Sequence, residues 1–221
     1  MKSEERKLHG LVLAGGLSRR MGYDKGLIRN YHGIEQRIWA ARLLQDVCNG
    51  QIFISLNASQ LWHPSDTDLR IVRDTHPNTG PMGGILSAME ETPGYNWLVL
   101  ACDQPFLTAE LLSELIDAGR QSPDSHAVVY TTDNERIQPF PGLYKHELAE
   151  QFSSAIRSGD YSLTRLLKSG GQTTKIPLET DRLQRIENIN DPGQMRKSGY
   201  SESEDSSPPS PSPSESDSAT S

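Results

Sequence analysis

Short apolar runs alternate with amphipathic stretches along most of the chain. The runs have the length and continuity of buried strands, and the stretches between them place apolar residues at helical spacing. Strands are predicted at residues 8–14, 52–56, 69–72, 97–102 and 127–131. Helices are predicted at residues 35–48, 83–91, 108–119 and 145–157. This alternation predicts an α/β domain with a mostly parallel sheet and helices on both of its faces.

The ends of the predicted strands are where chemistry is expected. In sheets of this kind, ligands bind beyond the carboxyl ends of the strands, at the point where the strand order reverses. The residues that directly follow each strand are therefore the candidates for binding and catalysis.

The segment from Ala14 to Lys25 directly follows the first predicted strand and contains two consecutive glycines, Gly15 and Gly16. Glycine lets the backbone turn sharply and approach a ligand without a Cβ in the way. Successive N–H groups in such a loop form an anion-binding concavity. Arg19 and Lys25 add positive charges that suit phosphate oxygens. The segment therefore predicts a polyphosphate-binding loop.

The spacing in this loop differs from that of two common nucleotide-binding loops. Tyr23 and Asp24 separate Gly22 from Lys25, so the pattern G-x-x-x-x-G-K-[ST] is absent. The pattern G-x-G-x-x-G is also absent, which disfavours a dinucleotide-binding dehydrogenase. A flexible connection with surface basic residues is the alternative interpretation, and the combination of glycines, arginines and lysine argues against it.

The run LAGGLSRRMGYDK, from Leu13 to Lys25, resembles the signature of the molybdenum cofactor guanylyltransferases and their nucleotidyltransferase relatives. The resemblance extends over residues 8–196. It implies a single GT-A/Rossmann-like nucleotidyltransferase domain, with GTP and molybdopterin as substrates. It also implies nucleotide binding by Leu13, Ala14, Gly15, Gly16 and Lys25, and catalytic roles for Arg19 and Lys25.

Asp103 comes directly after the apolar run at 97–102, at the ligand-binding edge of the predicted sheet. Mg²⁺ is typically bound by one or two carboxylates together with phosphate oxygens and water. The resemblance implies that Asp103 is the catalytic, magnesium-binding aspartate and that it also contacts the nucleotide. Capping of the next helix is the alternative role, although that helix is predicted to begin only at residue 108.

Asp74 ends the third predicted strand, and Gly80 opens the run GPMGG before a helix. The resemblance implies that Asp74 contacts GTP and that the turn at Gly80 lies beside the nucleotide base. On the residues alone, Asp74 is equally consistent with a loop acid paired with Arg73 or Lys25. The alternative for the GPMGG run is a proline-bearing helix start.

The second predicted strand departs from the family pattern. Family members usually end this strand with an asparagine that contacts the nucleotide, whereas Ser55 occupies the corresponding position and Asn57 lies two residues later. A hydroxyl can make one of the hydrogen bonds of an amide but not both kinds at once. The contact stays open between Ser55 and Asn57.

Two segments in the C-terminal half resemble the acceptor side of the family. Residues 139–144 read PFPGLY, and residues 188–192 read NINDP. The resemblance implies that Asn188 and Asn190 bind the acceptor. Alternation along a strand would place both asparagines on one side, and turn formation before Pro192 is the alternative.

Residues 198–221 differ in composition from the rest of the chain, because they are rich in Ser, Pro and acidic residues and contain no Lys or Arg. Such a segment is predicted to be disordered. It holds five acids, and removing them from the net charge of −7 leaves about −2 for residues 1–197. We therefore predict a nucleotidyltransferase domain at 1–197 and an acidic tail at 198–221. A nearly neutral domain argues against nucleic acid as a partner.

Cysteine usage and hydropathy indicate the compartment. Cys48 and Cys102 are the two cysteines, and they lack the paired spacing of zinc sites or disulfide frameworks. No run approaches the ~18 apolar residues of a membrane span, and acidic residues near the start disfavour a signal peptide. These features predict a cytoplasmic protein without a membrane partner.

Together with the resemblance, the residues predict transfer of GMP from GTP to the molybdenum-molybdopterin cofactor, with Mg²⁺ as the metal cofactor. The molybdopterin guanine dinucleotide formed would pass to molybdenum-cofactor insertion proteins or apo-molybdoenzymes. The alternatives are a cytidylyltransferase acting on the same pterin, a sugar-phosphate nucleotidyltransferase, and a non-catalytic nucleotide-binding protein. The Ala14-Gly15-Gly16 run favours the guanylyl enzyme, since cytidylyl relatives tend to have Ala-Ala-Gly there.

Overall fold

The structure, a computed structural model, describes residues 7–15, 33–60, 69–132, 134–170 and 172–189. The predicted tail at 198–221 lies outside these ranges. So do four predicted site residues: Gly16, Arg19, Lys25 and Asn190.

Strands and helices alternate within the described residues. The strands are β1 (Leu8–Leu13), β2 (Ile52–Leu56), β3 (Arg70–Arg73), β4 (Asn96–Ala101), β5 (Ala127–Thr131), β6 (Ile137–Tyr144) and β7 (Thr173–Pro177). The α-helices are α1 (Gln36–Val47), α2 (Pro81–Glu91), α3 (Ala109–Gln121), α4 (Leu148–Arg157) and α5 (Leu163–Ser169). A C-terminal 3-10 helix spans Thr180–Ile186. In these parts of the chain, no helix combines the length and the apolar character needed to span a bilayer.

The strands form one sheet in the order β3-β2-β1-β4-β6-β5-β7. β1 pairs in parallel with both β2 and β4, and β6 runs antiparallel to its neighbours β4 and β5. The chain proceeds from β1 outward to β3 and then returns to β4 on the other side of β1. The strand order therefore reverses between β1 and β4, which is where a ligand site is expected. The predicted α/β class with a mostly parallel sheet is confirmed.

Helices cover both faces of the sheet. On one face α1 and α3 pack through fully buried residues that include Leu44 and Leu112. On the other face α2 and α4 pack through Ile85 and Phe152, which are also fully buried. Burial of each such side chain contributes about 1.5–3 kcal/mol. The strand ends that carry the candidate site therefore rest on a core packed from both sides.

The predicted strands and helices are all present, and no end is shifted by more than three residues. The structure adds β6, α5, β7 and the 3-10 helix, which the apolar pattern did not indicate. β6 contains Pro139, Pro141 and Gly142, and these residue types are uncommon inside strands. β7 lies at the edge of the sheet and has no fully buried residue, so it lacks an apolar periodicity.

Candidate active site

β1 and β4 end side by side, and both lead into predicted site residues. Leu13 pairs with Ala101 in parallel register, and the Cys102 N–H donates to the Leu13 carbonyl at 3.2 Å. Gly15 follows one strand and Asp103 the other, and both are partly exposed. The structure therefore brings the start of the glycine-rich loop and the predicted metal-binding aspartate to neighbouring strand ends.

Asp74 directly follows β3 and lies at the same edge of the sheet, two strands away from the end of β1. Its N–H donates to the Leu56 carbonyl at 2.9 Å, and its Oδ1 accepts the His76 N–H at 2.8 Å. The acceptors of the Arg73 guanidinium are the carbonyls of Asn57 and Gln60. The half-buried Asp74 carboxylate is thus held in position by the backbone of its own turn.

The N-terminus of α2 packs against this turn. Gly80 is the N-cap residue, and its φ of 65° is a conformation that favours glycine. A Cβ on Gly83 would lie 2.7 Å from the His76 carbonyl oxygen and 3.1 Å from Asp74 Oδ1. Glycine at position 83 therefore allows the helix to approach Asp74 closely. The partial positive charge of a helix N-terminus suits an anionic or polar ligand at this edge.

Ser55 and Asn57, the two candidates at the end of β2, have different surroundings. Ser55 is 2% exposed and lies beneath α2, since a Cβ on Gly84 would come 2.8 Å from its hydroxyl oxygen. Asn57 lies beyond the strand and donates from Nδ2 to the Gly15 carbonyl at 2.9 Å. The Asn57 amide is thus engaged with the glycine-rich loop, whereas Ser55 faces Gly84 of α2.

Gln104, which sequence reasoning missed, connects the end of β4 to distant parts of the chain. Its side chain is buried, and Nε2 donates to the Phe140 carbonyl at 2.9 Å and to the Ile186 carbonyl at 2.8 Å. The preceding residue, Asp103, accepts the Ile189 N–H at its backbone oxygen at 2.7 Å. A signal existed in the sequence, because Gln104 is a lone amide between Asp103 and an apolar stretch. Its partners, however, are far away along the chain.

The segment predicted to lie near the acceptor departs from the regular sheet. Val129 pairs with Gly142, but the next residue of β5, Tyr130, pairs with Gln138, so three residues of β6 stand outside the ladder. The Tyr144 hydroxyl donates to the Pro139 carbonyl at 2.6 Å. Burial raises the pKa of Tyr144 well above its ordinary value, so the hydroxyl stays a neutral donor. This irregular segment, at 139–141, reaches the edge where Asp103 lies.

No strand forms at Asn188 in the described part of that segment. Residues 187–189 follow the 3-10 helix as irregular backbone, and Asn188 is exposed. The physical reason is that Ile189 donates to the Asp103 carbonyl at 2.7 Å rather than to a neighbouring strand. Asn188 is therefore brought close to the end of β4 without a strand.

Comparison with known proteins identifies the family. Residues 10–175 match the family model described as the MobA-like NTP transferase domain. The chain belongs to this family.

Two relatives show how far the likeness of this MobA-like chain extends. It is 35% identical over 189 residues to a molybdenum cofactor biosynthesis bifunctional protein of Synechocystis sp.. The aligned residues cover 84% of this chain and 52% of the relative. The chain thus spans about half the length of that protein. It is 30% identical over 196 residues to a probable molybdenum cofactor guanylyltransferase of Rhodopirellula baltica, covering 85% and 90% of the two chains.

Solved structures share the fold of the MobA-like chain. Molybdopterin-guanine dinucleotide biosynthesis protein A from Archaeoglobus fulgidus matches with a TM-score of 0.67 at 22% identity, covering 86% of this chain and 95% of the other. A Mycobacterium tuberculosis protein solved as a complex with manganese matches with a TM-score of 0.55 at 17% identity, covering 79% and 89%. At these identities the likeness shows the fold alone.

The side chains that could coordinate Mg²⁺ in this MobA-like chain are few. The described residues contain no group of three or more His, Cys, Asp and Glu side chains that could hold a metal ion. A magnesium ion that is carried in on a triphosphate needs only one or two carboxylates, because phosphate oxygens and water complete its shell. The partly exposed Asp103 beside the glycine-rich loop fits such an ion.

Proposed function

We propose that this chain transfers GMP from GTP to the molybdenum-molybdopterin cofactor, forming molybdopterin guanine dinucleotide and pyrophosphate. The observation that carries the proposal is the pairing of β1 with β4, which sets Gly15 and Asp103 at neighbouring strand ends. Membership of the MobA-like NTP transferase family supports nucleotidyl transfer at this edge. The names of the relatives support GTP and a molybdopterin acceptor.

The reaction needs positioning and charge neutralisation more than reactive side chains. A phosphate oxygen of the pterin attacks the α-phosphorus of GTP, and the bond from that phosphorus to the β-phosphate oxygen breaks. The electron pair leaves with pyrophosphate. Because the attacking phosphate is already anionic, neither a covalent enzyme nucleophile nor a strong general base is required. The Ala14 N–H donates to the Ser55 carbonyl at 3.0 Å and is not available to a ligand. Backbone N–H groups at 15–16, with Arg19 and Lys25, would orient the triphosphate and hold the leaving pyrophosphate.

Asp103 is the residue we assign to the metal. When bound there, Mg²⁺ neutralises charge on the phosphates and helps to orient them. The manganese complex of the mycobacterial neighbour supports a divalent ion in this fold. The role of Asp103 is to present its carboxylate to the metal beside Gly15. The Ile189 N–H donates to the Asp103 backbone carbonyl and holds the residue in place.

The nucleoside and the acceptor are assigned to opposite sides of Asp103. Asp74 and the N-terminus of α2 at Gly80 would bind the nucleoside, since both lie beyond β2 and β3. Asn188, with Asn190 two residues later, would contact the acceptor together with the irregular segment at 139–141. The contacts of Gln104 and Ile189 support this assignment, because they join that segment and the residues before Asn190 to the end of β4.

Calorimetric titrations with GTP, CTP and ATP, each with and without Mg²⁺, test the proposal against its alternatives. We expect GTP to bind most tightly and its affinity to rise with Mg²⁺. Preference for CTP would contradict the guanylyl assignment and favour a cytidylyltransferase. Equal binding of GTP with and without Mg²⁺ would contradict the metal assignment and favour a non-catalytic nucleotide-binding protein. A sugar-phosphate nucleotidyltransferase would use a sugar phosphate as its acceptor, so pyrophosphate release that needs a sugar phosphate and not the pterin would identify it.

Three further parts of the proposal rest on the sequence. We place the reaction in the cytoplasm, consistent with sparse cysteine usage. We assign catalysis to residues 1–197 and none of it to the acidic tail at 198–221. Recipients of the product would be molybdenum-cofactor insertion proteins or apo-molybdoenzymes.

A further inference from the structure

Two side-chain amides from the turn after β2 hold the first two carbonyls after β1. Gln60 donates from Nε2 to the Ala14 carbonyl at 2.8 Å, and Asn57 donates from Nδ2 to the Gly15 carbonyl at 2.9 Å. These contacts link residues that are more than forty positions apart in the chain. We refer to Asn57 and Gln60 together as the amide brace.

The brace is fixed by its own hydrogen bonds. Gln60 accepts the Asn57 N–H at Oε1 at 2.9 Å, and Asn57 Oδ1 accepts the N–H groups of Ser59 and Gln60 at 2.9 and 3.0 Å. Rotating either amide by half a turn would place an NH₂ group against these donors, so the network sets which atom faces the loop. Gln60 is only 8% exposed, so an unmade hydrogen bond there would be costly.

Arg73 ties the brace to the adjacent strand. Its guanidinium donates from one nitrogen to the Gln60 carbonyl at 2.5 Å and to the Asn57 carbonyl at 3.1 Å. The turn that carries the brace is therefore attached to β3, which leads directly into Asp74. The orientation of the turn is therefore fixed by β3 as well as by β2, which leads into it.

The brace sets the direction of the backbone at the start of the glycine-rich loop. A trans peptide is planar, with its carbonyl and its N–H pointing in opposite directions. Because the Ala14 carbonyl points to Gln60, the Gly15 N–H points away from the brace. Among the residues that the structure describes, no acceptor is paired with this N–H. Glycine would otherwise keep wide conformational freedom, and the bond from Asn57 to the Gly15 carbonyl restricts it.

We propose that Asn57 and Gln60 are positioning residues that pre-orient the backbone at 14–15 for the polyphosphate of the substrate. This inference rests on the proposed function, because it assumes that the loop binds a triphosphate. Donors that are fixed before binding lose little entropy when the anion arrives. The brace therefore acts on the phosphates and leaves recognition of the base to other residues.

Two isosteric substitutions remove the donors of the brace, and each also adds one negative charge. Gln60→Glu keeps an oxygen that can accept the Asn57 N–H but loses the donor to Ala14. Asn57→Asp keeps the acceptor for Ser59 and Gln60 but loses the donor to Gly15. Loss of one such hydrogen bond to the loop should weaken binding of Mg²⁺-pyrophosphate and lower kcat/KM for GTP about tenfold. Affinity for guanosine, which has no phosphate, should stay the same.

Two controls separate the lost donor from other effects. Ala58→Glu adds one negative charge to the same turn at an exposed position and leaves both donors in place. Gln60→Met adds no charge; it removes the donor to Ala14 together with the acceptor of the Asn57 N–H. It replaces Gln60→Glu in the test if that variant fails to fold. We expect Ala58→Glu to resemble the wild type and Gln60→Met to lose pyrophosphate affinity. Thermal unfolding of each variant checks that the protein is folded.

The measurement is the Kd of pyrophosphate and of guanosine by calorimetry, with kcat and KM for GTP. Folded brace variants with unchanged pyrophosphate affinity would overturn the proposal. Equal loss of guanosine affinity would also overturn it, because that pattern indicates a general structural role. A wild-type protein that binds pyrophosphate but does not act on GTP would refute the proposed function, and the pyrophosphate titrations would still decide the role of the brace.

Discussion

The two sides of Asp103 are built in different ways. On the proposed nucleotide side, β1, β2 and β3 are neighbouring parallel strands, and their ends place Gly15, Asn57 and Asp74 along one edge. On the proposed acceptor side, the antiparallel strand β6 departs from the ladder at 139–141, and a hydrogen bond from the Gln104 side chain to the Phe140 carbonyl joins that segment to the end of β4. The nucleotide side therefore takes its shape from regular sheet geometry, whereas the acceptor side depends on a few side chains such as Gln104.

This difference has a consequence for function. A nucleotide triphosphate is common to many transferases of this fold, and regular strand ends supply it with backbone donors. The acceptor distinguishes one such enzyme from another, and irregular segments can change without disturbing the sheet. We therefore expect substitutions on the two sides of Asp103 to affect different substrates.

The largest effect is expected where the two sides meet. Asp103→Ala should reduce turnover by roughly a thousandfold or more, because the carboxylate assigned to Mg²⁺ is lost. Pyrophosphate release over a range of Mg²⁺ concentrations is the measurement, with circular dichroism as the check on folding. Asp103→Asn is the matched control for shape, and it should be nearly as inactive. Substantial activity of either variant in Mg²⁺ would refute the metal assignment.

The next effect tests the nucleotide side. Lys25→Ala should lower kcat/KM for GTP by roughly a hundredfold to a thousandfold, similar to the loss of an oxyanion donor. Lys25 lies outside the described residues, so this prediction rests on the sequence. Steady-state kinetics with GTP varied at saturating pterin measures it, and Lys25→Arg should recover part of the loss. Normal kinetics for Lys25→Ala would mean that the loop has another role.

A smaller effect tests the acceptor side. Gln104→Met removes two donors and leaves the carbonyls of Phe140 and Ile186 without that partner, which should lower the free energy of unfolding by about 1–3 kcal/mol. KM for the pterin should rise several-fold more than KM for GTP. Urea unfolding and kinetics with each substrate varied in turn provide the measurements. An equal change in both KM values would contradict the division between the two sides.

The smallest effect lies far from both sides. His9 is buried, its Nδ1 accepts the Gln51 N–H at 2.7 Å, and its ring packs against Tyr95 at 4.1 Å between centroids. Burial, followed by the positive charge of Arg70, lowers the pKa of His9 below its ordinary value of 6.5.

The unfolded chain then binds the His9 proton more readily than the folded protein, so stability should fall as the pH drops below that ordinary value. Urea unfolding between pH ~5.5 and ~7.5 should show this loss in the wild type. The pH dependence should be weaker in His9→Asn, which has an acceptor but does not titrate. Identical pH profiles for the two proteins would contradict the prediction, and KM for GTP should be the same in both.

The nucleotide side of Asp103 could be predicted from the sequence better than the acceptor side. The strands from β1 to β5 are apolar runs, and the residues after them, Gly15, Asp74 and Asp103, could be picked out because strand ends are known ligand positions. β6 could not be predicted, because Pro139 and Pro141 interrupt its pattern.

The roles of Asn57, Gln60 and Gln104 depend on contacts with residues 36 to 82 positions away in the chain. No local periodicity encodes contacts of that range. A lone amide in a turn or beside a buried strand end is a hint in the sequence, and only the fold shows which carbonyl it holds.

Release of pyrophosphate from each nucleoside triphosphate, with molybdopterin and Mg²⁺ present, tests the central claim most directly. We predict that GTP releases pyrophosphate, that the release requires the pterin, and that the pterin product contains guanine. The Asp103→Asn variant should release at least several hundredfold less under the same conditions, in line with the roughly thousandfold loss expected for Asp103→Ala. Release from CTP instead of GTP, or release from GTP without the pterin, would contradict the claim that this chain is a guanylyltransferase acting on molybdopterin.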